Sequence, residues 1–185
     1  MRIAAMGVLG ALVTLAGCGG GGGGSTKGPE WQTVENTEGG YSLKVPFWSD
    51  EIGWHAQTQG SSTTVSKPNG EVDCAADVNA LTKEQNTLDD YVKWHLQESE
   101  LKKNPGFNLK GQPAPVKVGG RDGRRATFSM KSVMFKSVGD GTQTETVTYT
   151  LKGRNVYSLR TACPTVKWEP WKQYFVEMHK SFAVK

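Results

Sequence analysis

Two β-rich runs of nearly equal length, Thr144 to Lys152 and Asn155 to Cys163, meet at Gly153-Arg154. A link of two residues cannot carry a parallel crossover, which needs a dozen or more, so the runs predict an antiparallel hairpin and an antiparallel sheet around it. Arg124 to Met130 reads as a strand before them, with Val138-Gly139-Asp140-Gly141 as a turn between. Gly119 to Gly123 turns that strand back on Pro115 to Val118, and Phe107 to Leu109 is a shorter one.

The first half of the chain carries the same signal. Ordered structure begins over Trp31 to Asn36, and Tyr41 to Val45 alternates apolar and polar residues before Pro46. Trp54 to Thr58 and Ser62 to Ser66 follow, then the turn residues Lys67-Pro68-Asn69-Gly70. Glu71 to Leu81 puts Val72, Cys74, Ala76, Val78 and Ala80 on one alternating face, as a strand inside a sheet does.

Helical period occurs twice. From Thr87, a residue suited to the N-cap, Leu88, Tyr91, Val92, His95, Leu96 and Ser99 fall on one helical face, and Asn104-Pro105-Gly106 stops the run. Pro170 opens a second helix with Trp171, Tyr174, Phe175, Met178 and Phe182 as its stripe, followed by an extended tail. The order strands, helix, strands, helix predicts an α+β fold, an antiparallel β-sheet flanked by helices as an α/β/α sandwich, with none of the alternation of a parallel nucleotide-binding sheet.

The N-terminus states an address. Arg2, the apolar stretch from Ile3 to Val13, and Leu15-Ala16-Gly17-Cys18 have the form of a bacterial lipoprotein signal. The apolar segment is about 13 residues, short of the roughly 20 needed to span a bilayer. Cleavage would leave Cys18 as the first residue, linked to diacylglycerol and acylated, and two or three chains make a stable membrane anchor. The six consecutive glycines from Gly19 belong to a tether too poor in side chains to fold. The predicted organisation is a signal peptide over 1–17, lipidated Cys18 and tether over 18–28, and one domain over 29–185. Gly19 in place of an aspartate favours the outer membrane where the envelope has one.

With Cys18 lipidated, the chain's three cysteines leave Cys74 and Cys163 in an oxidising compartment, and parity predicts a disulfide. The alternative is two unpaired buried thiols acting as small hydrophobes. The net charge of +4 is too mild to argue for nucleic acid.

No catalytic set can be assembled. His55, His95 and His179 are scattered and none has a companion motif; His95 lies on the apolar face of the first helix, His179 near the dipole end of the last, His55 on an outward strand position. Nothing has zinc-ligand spacing, so no metal or cofactor is expected. Asp89-Asp90 reads as first-turn capping, and the glycine-rich segments lack the remainder of a phosphate loop.

Two groups of residues point to binding. Arg121, Arg124 and Arg125 with Lys117, and with Lys102, Lys103 and Lys110 nearby, are the densest basic group; they suit anionic lipid or an acidic partner, or form a solvated turn diluted by Asp122. Trp94 lies off the apolar face of its helix, and Trp48 and Trp168 fall in predicted connections, so these tryptophans are candidate partner contacts or packing beneath loops.

The opening strand Gly40 to Pro46 followed by Gly53-Trp54, the helix start Leu88-Asp89-Asp90-Tyr91, the turn Gly119-Gly120-Arg121, the hairpin Gly153 to Tyr157 and the terminal Ser181-Phe182 together resemble the PsbP-like superfamily. That superfamily includes a photosystem extrinsic protein, Ran-binding Mog-type proteins and bacterial lipoproteins. Phe47 to Ile52 departs from it by lengthening the step to Gly-Trp. The resemblance implies a non-enzymatic accessory, assembly or binding module; with the lipid anchor at Cys18, the expected setting is the cell envelope, with the membrane and an envelope protein as partners. The alternatives are a carrier or sensor of a small apolar ligand and, behind it, an envelope hydrolase.

Overall fold

The central hairpin forms as the two-residue link requires. β9 (Thr142–Lys152) and β10 (Asn155–Pro164) pair in register from Lys152 with Asn155 to Gln143 with Pro164. Gly153 makes the turn at φ +61°, a conformation that a side chain disfavours. The computed structural model describes residues 29–47, 55–67, 72–97, 103–132, 135–136 and 138–185. Cys18, its tether and Trp48 lie outside them.

The other elements are β1 (Glu30–Asn36), β2 (Tyr41–Phe47), β3 (His55–Gln59), β4 (Ser62–Ser66), β5 (Asp73–Ala80), α1 (Leu88–Gln97), β6 (Asn108–Leu109), β7 (Ala114–Val118), β8 (Arg121–Lys131), α2 (Trp168–Ser181) and β11 (Ala183–Val184). Strands β3-β4-β5-β10-β9-β8-β6 run in that order through one antiparallel sheet, with β7 also paired to β8. β1, β2 and β11 form a second, three-stranded sheet.

Residue parity divides the large sheet into two faces. On one, Leu81, Tyr91, Val92, Leu96, Ala126, Phe128, Val147, Tyr149 and Val156 form a core beneath α1. On the other, Val65, Cys74, Ala76, Leu159 and Cys163 meet Tyr41, Leu43 and Val45 of β2, and Trp171, Phe175 and Met178 of α2. Full burial of a side chain such as Phe128 or Phe175 contributes about 1.5–3 kcal/mol.

The α+β class and the antiparallel sheet are as the sequence predicts. The symmetric α/β/α sandwich is corrected: the face opposite α1 is covered by α2 together with the three-stranded sheet. Short-range pattern could not assign the Ala183–Val184 tail to that sheet, since its partners are Tyr41 and Ser42 at the other end of the chain. Polar bonds hold the two sheets together. Tyr41 Oη donates to the Ala76 carbonyl at 2.9 Å, and Asn36 Nδ2 donates to the Gly60 carbonyl at 3.1 Å.

The disulfide expected from parity is absent: Cys74 and Cys163 are free thiols, both fully buried. Register supplies the reason. Cys74 stands opposite Thr161, so Cys163 is its diagonal neighbour on the same face. That diagonal step is about 7–8 Å between α carbons, against roughly 4.4–6.8 Å for a disulfide. Burial raises both thiol pKa values, that of Cys163 to about 12.

Candidate functional site

α1 begins where its capping residues dictate. Thr87 Oγ1 accepts from Asp90 N at 3.1 Å, while Asp90 Oδ2 accepts from Thr87 N and Asn86 N at 2.9 and 3.0 Å, a reciprocal capping box. The hydroxyl bond from Thr87 and these amides lower the Asp90 pKa. Tyr91, Val92 and Leu96 then face the sheet, over β8 and β9. Among the described residues the helix therefore covers only part of its face, and β3, β4, β5 and the Arg160 end of β10 lie beyond it.

The uncovered part is polar. Arg160, Ala75, Thr64 and Gln57 form one row across β10, β5, β4 and β3, and Asp73, Ser66 and His55 lie in the next row on β5, β4 and β3. Gln57, Thr64 and His55 are exposed, and Ala75 and Ser66 are half-buried. At the margin nearest α1, Arg160 joins two buried carboxylates, pairing with Asp73 through Nη2 and with Glu145 through Nη1 at 3.3 Å. Gln143 Nε2 donates to the same Glu145 oxygen. Burial raises the Glu145 pKa, opposed by the Arg160 charge. For Arg160, burial acts downward and the two carboxylates act upward, and the net shift is upward. One guanidinium satisfying two buried acids makes a fixed network, because removing it would strand both charges.

An aromatic group lies on the same face of the sheet. Tyr91 and His95 of α1 stack with centroids 6.1 Å apart, Trp94 lies 5.6 Å from Tyr91, and His95 Nδ1 is 2.8 Å from the hydroxyl of Tyr149 on β9. Burial lowers the His95 pKa and raises that of Tyr149 well above its usual value, so both are neutral near pH 7. Trp94 remains 38 % exposed. The face thus combines an accessible indole, a rigid aromatic base, a held ionic network and an open polar sheet, features that suit contact with another protein. Among the described residues, no three His, Cys, Asp or Glu side chains are arranged to hold a metal.

The other anticipated residues are dispersed. Trp168 is the first residue of α2, half-buried with its ring 5.7 Å from Phe175, so the connection expected there is helix and the indole packs on the core. The basic group does not form one patch. Arg124 makes a two-pronged pair with Asp89, Nε to Oδ1 at 2.8 Å and Nη2 to Oδ2 at 2.9 Å. Arg125 is on the opposite face, where its Nε donates to Thr148 Oγ1 at 2.9 Å. Lys117 is paired with Asp122 at 2.6 Å. Arg121 lines an open groove of about 490 Å³ with Arg124, Asp89, Asp122, Thr87, Leu88, Gly120 and Leu151. His55 points outward as expected, whereas His179 is buried rather than at a solvated helix end.

The Arg160 network was missed by sequence reading. Its signal was a glutamate and an arginine on the facing arms of one hairpin, Glu145 on β9 and Arg160 on β10, at positions that share a face.

Solved structures share this architecture. Cyanobacterial PsbP (CyanoP) from Synechocystis sp. PCC 6803 superposes with a TM-score of 0.60 at 15% identity, covering 90% of this chain and 98% of that one. LpqN of Mycobacterium tuberculosis, described as involved in cell envelope biogenesis, gives 0.57 at 17% identity over 84% and 91%. The Saccharomyces cerevisiae Ran-binding protein Mog1p gives 0.54 at 12% identity over 84% and 96%. At such identities the likeness is one of fold. No protein-family model matches the chain, and no curated protein matches its sequence.

Proposed function

We propose that this chain, which has the fold shared by PsbP and Mog1, is a lipid-anchored extracytoplasmic accessory protein of the cell envelope. It acts by binding a protein partner through the face made by α1 and the open half of the sheet. The observation that carries this reading is Trp94, 38 % exposed and set against Tyr91 and His95 of α1. A large aromatic side chain exposed on a rigid base is the kind of residue that dominates binding energy at protein interfaces. The envelope setting is supported by the Leu15-to-Cys18 box and by the fold shared with LpqN. Among the described residues no helix is long and apolar enough to cross a membrane.

Crosslinking in intact cells, followed by identification of neighbours, tests the proposal. A reproducible envelope partner is expected, and Trp94→Ala should weaken its capture several-fold while leaving the unfolding midpoint nearly unchanged. A partner captured equally by the variant would remove Trp94 and its face from the binding role.

A further inference from the structure

We propose that the groove on the β8 flank of α1 is an anion site that takes a phosphate or carboxylate group on Arg121 and Arg124. The groove is separate from the Trp94 face and its use does not depend on the protein partner proposed there. Its volume of about 490 Å³ is in the usual range of small-ligand clefts, roughly 300–1,000 Å³.

Charge decides the sign of the ligand. Two carboxylates line the groove, and each already has its own cation, Asp89 with Arg124 and Asp122 with Lys117. Arg121 is left over, half-buried in the wall with no ion pair among the described residues. The site thus holds one uncompensated guanidinium on a wall that also contains Leu88 and Leu151, both half-buried.

Geometry supplies the second contact. Arg124 presents Nε and Nη2 as a fork already filled by the two Asp89 oxygens, at 2.8 and 2.9 Å. A phosphate or carboxylate offers the same pair of acceptors, so it can replace Asp89 on that fork. Asp89 can be displaced readily, since its side chain is 63% exposed and its departure leaves no buried charge unpaired. A second, smaller groove of about 200 Å³ continues past the Asp89–Arg124 pair along α1, lined by Lys93, Gln97, Leu109 and Pro113. An anion bound at the pair can therefore extend an attached group into it.

The same chemistry could come from a free oxyanion or from the headgroup of an anionic lipid. The whole chain carrying Cys18→Ser is titrated with inorganic phosphate, and separately with phosphatidylglycerol and phosphatidylcholine vesicles, while side-chain nitrogen resonances of Arg121 and Arg124 are followed. Saturable shifts with phosphate are expected, lost in Arg121→Gln and unchanged in the distant Lys172→Gln. Asp89→Asn should tighten binding about two- to fivefold, the factor by which an exposed ion pair competes. Shifts produced by phosphatidylglycerol but not by phosphatidylcholine would identify a lipid headgroup as the source; shifts with phosphate alone would identify a small solute. The proposal is overturned if neither probe shifts these resonances, if Arg121→Gln responds as the unmutated protein does, or if Asp89→Asn weakens binding.

Discussion

Thr161 Oγ1 lies 3.0 Å from Nε2 of His179, an imidazole only 1% exposed that is enclosed between α2 and the large sheet. Among the described residues its Nδ1 has no hydrogen-bond partner. Burial, with the Arg125 charge added, depresses the His179 pKa to about 3. The group is neutral in the folded protein at ordinary pH, so it gains nothing from the helix dipole.

A pH dependence follows from that depression. Above the ordinary histidine value of 6.5 neither folded nor unfolded chain protonates this group, and it contributes no slope. As pH falls from 6.5 toward 3 the unfolded chain takes up a proton that the folded chain refuses, so stability falls by up to about 1.4 kcal/mol per pH unit. Below about 3 both states are protonated and the slope disappears. Denaturant unfolding at a series of pH values, compared with His179→Gln, isolates this effect because the carboxylates are common to both chains. The difference in stability between the two should shrink steadily between pH 6.5 and 3, and a constant difference would contradict the buried neutral imidazole.

The two core cysteines give a second expectation. Free thiols with raised pKa values, enclosed at less than 1% exposure, should not react with an alkylating reagent at pH 8 while the chain is folded. After denaturation without reductant, both Cys74 and Cys163 should be labelled, which mass spectrometry of the peptides will show. Recovery of an unlabelled, linked peptide pair would restore the disulfide that cysteine parity suggests.

Gly123 provides a test of the packing between β8 and β9. A Cβ at this position would lie 2.5 Å from the Tyr149 carbonyl oxygen, a backbone atom that can move only with its strand. Gly123→Ala should therefore lower stability by about 1–3 kcal/mol, read as a fall in denaturant midpoint at unchanged slope. Gly120→Ala makes a contrast, since nothing lies within 4 Å of its Cβ; its cost comes from the positive φ of 84° alone.

The sequence revealed most where local rules decide. Gly153-Arg154 fixed the central hairpin, and the change to helical period at Thr87 placed α1 with Tyr91, Val92 and Leu96 inward. Strand parity also contained an unused warning: Arg124 and Arg125 are adjacent in β8 and must face opposite ways, so they could not share a patch. What stayed hidden depends on register between distant segments. Asp73 and Arg160 meet across 87 positions, and counting cysteines cannot show that Cys74 faces Thr161 rather than Cys163. Trp168 reads as a connection from sequence, whereas the single 3₁₀ turn Thr165–Lys167 leads straight into α2, and this carries the indole onto Phe175.

The lipid anchor is tested through Cys18. If cleavage leaves Cys18 as the first residue with its sulfur in a thioether to diacylglycerol, Cys18→Ser leaves no attachment point, and the chain should move from the membrane fraction to the soluble one. Metabolic labelling with a fatty-acid analogue should mark the unmutated chain and not the variant. Both readouts are needed, because binding to an envelope partner through the Trp94 face would also sediment with membranes. A variant carrying Cys18→Ser and Trp94→Ala together separates the causes. It should be soluble where both contribute, and membrane association persisting in it without label would rule out the anchor and the Trp94 face as the means of attachment.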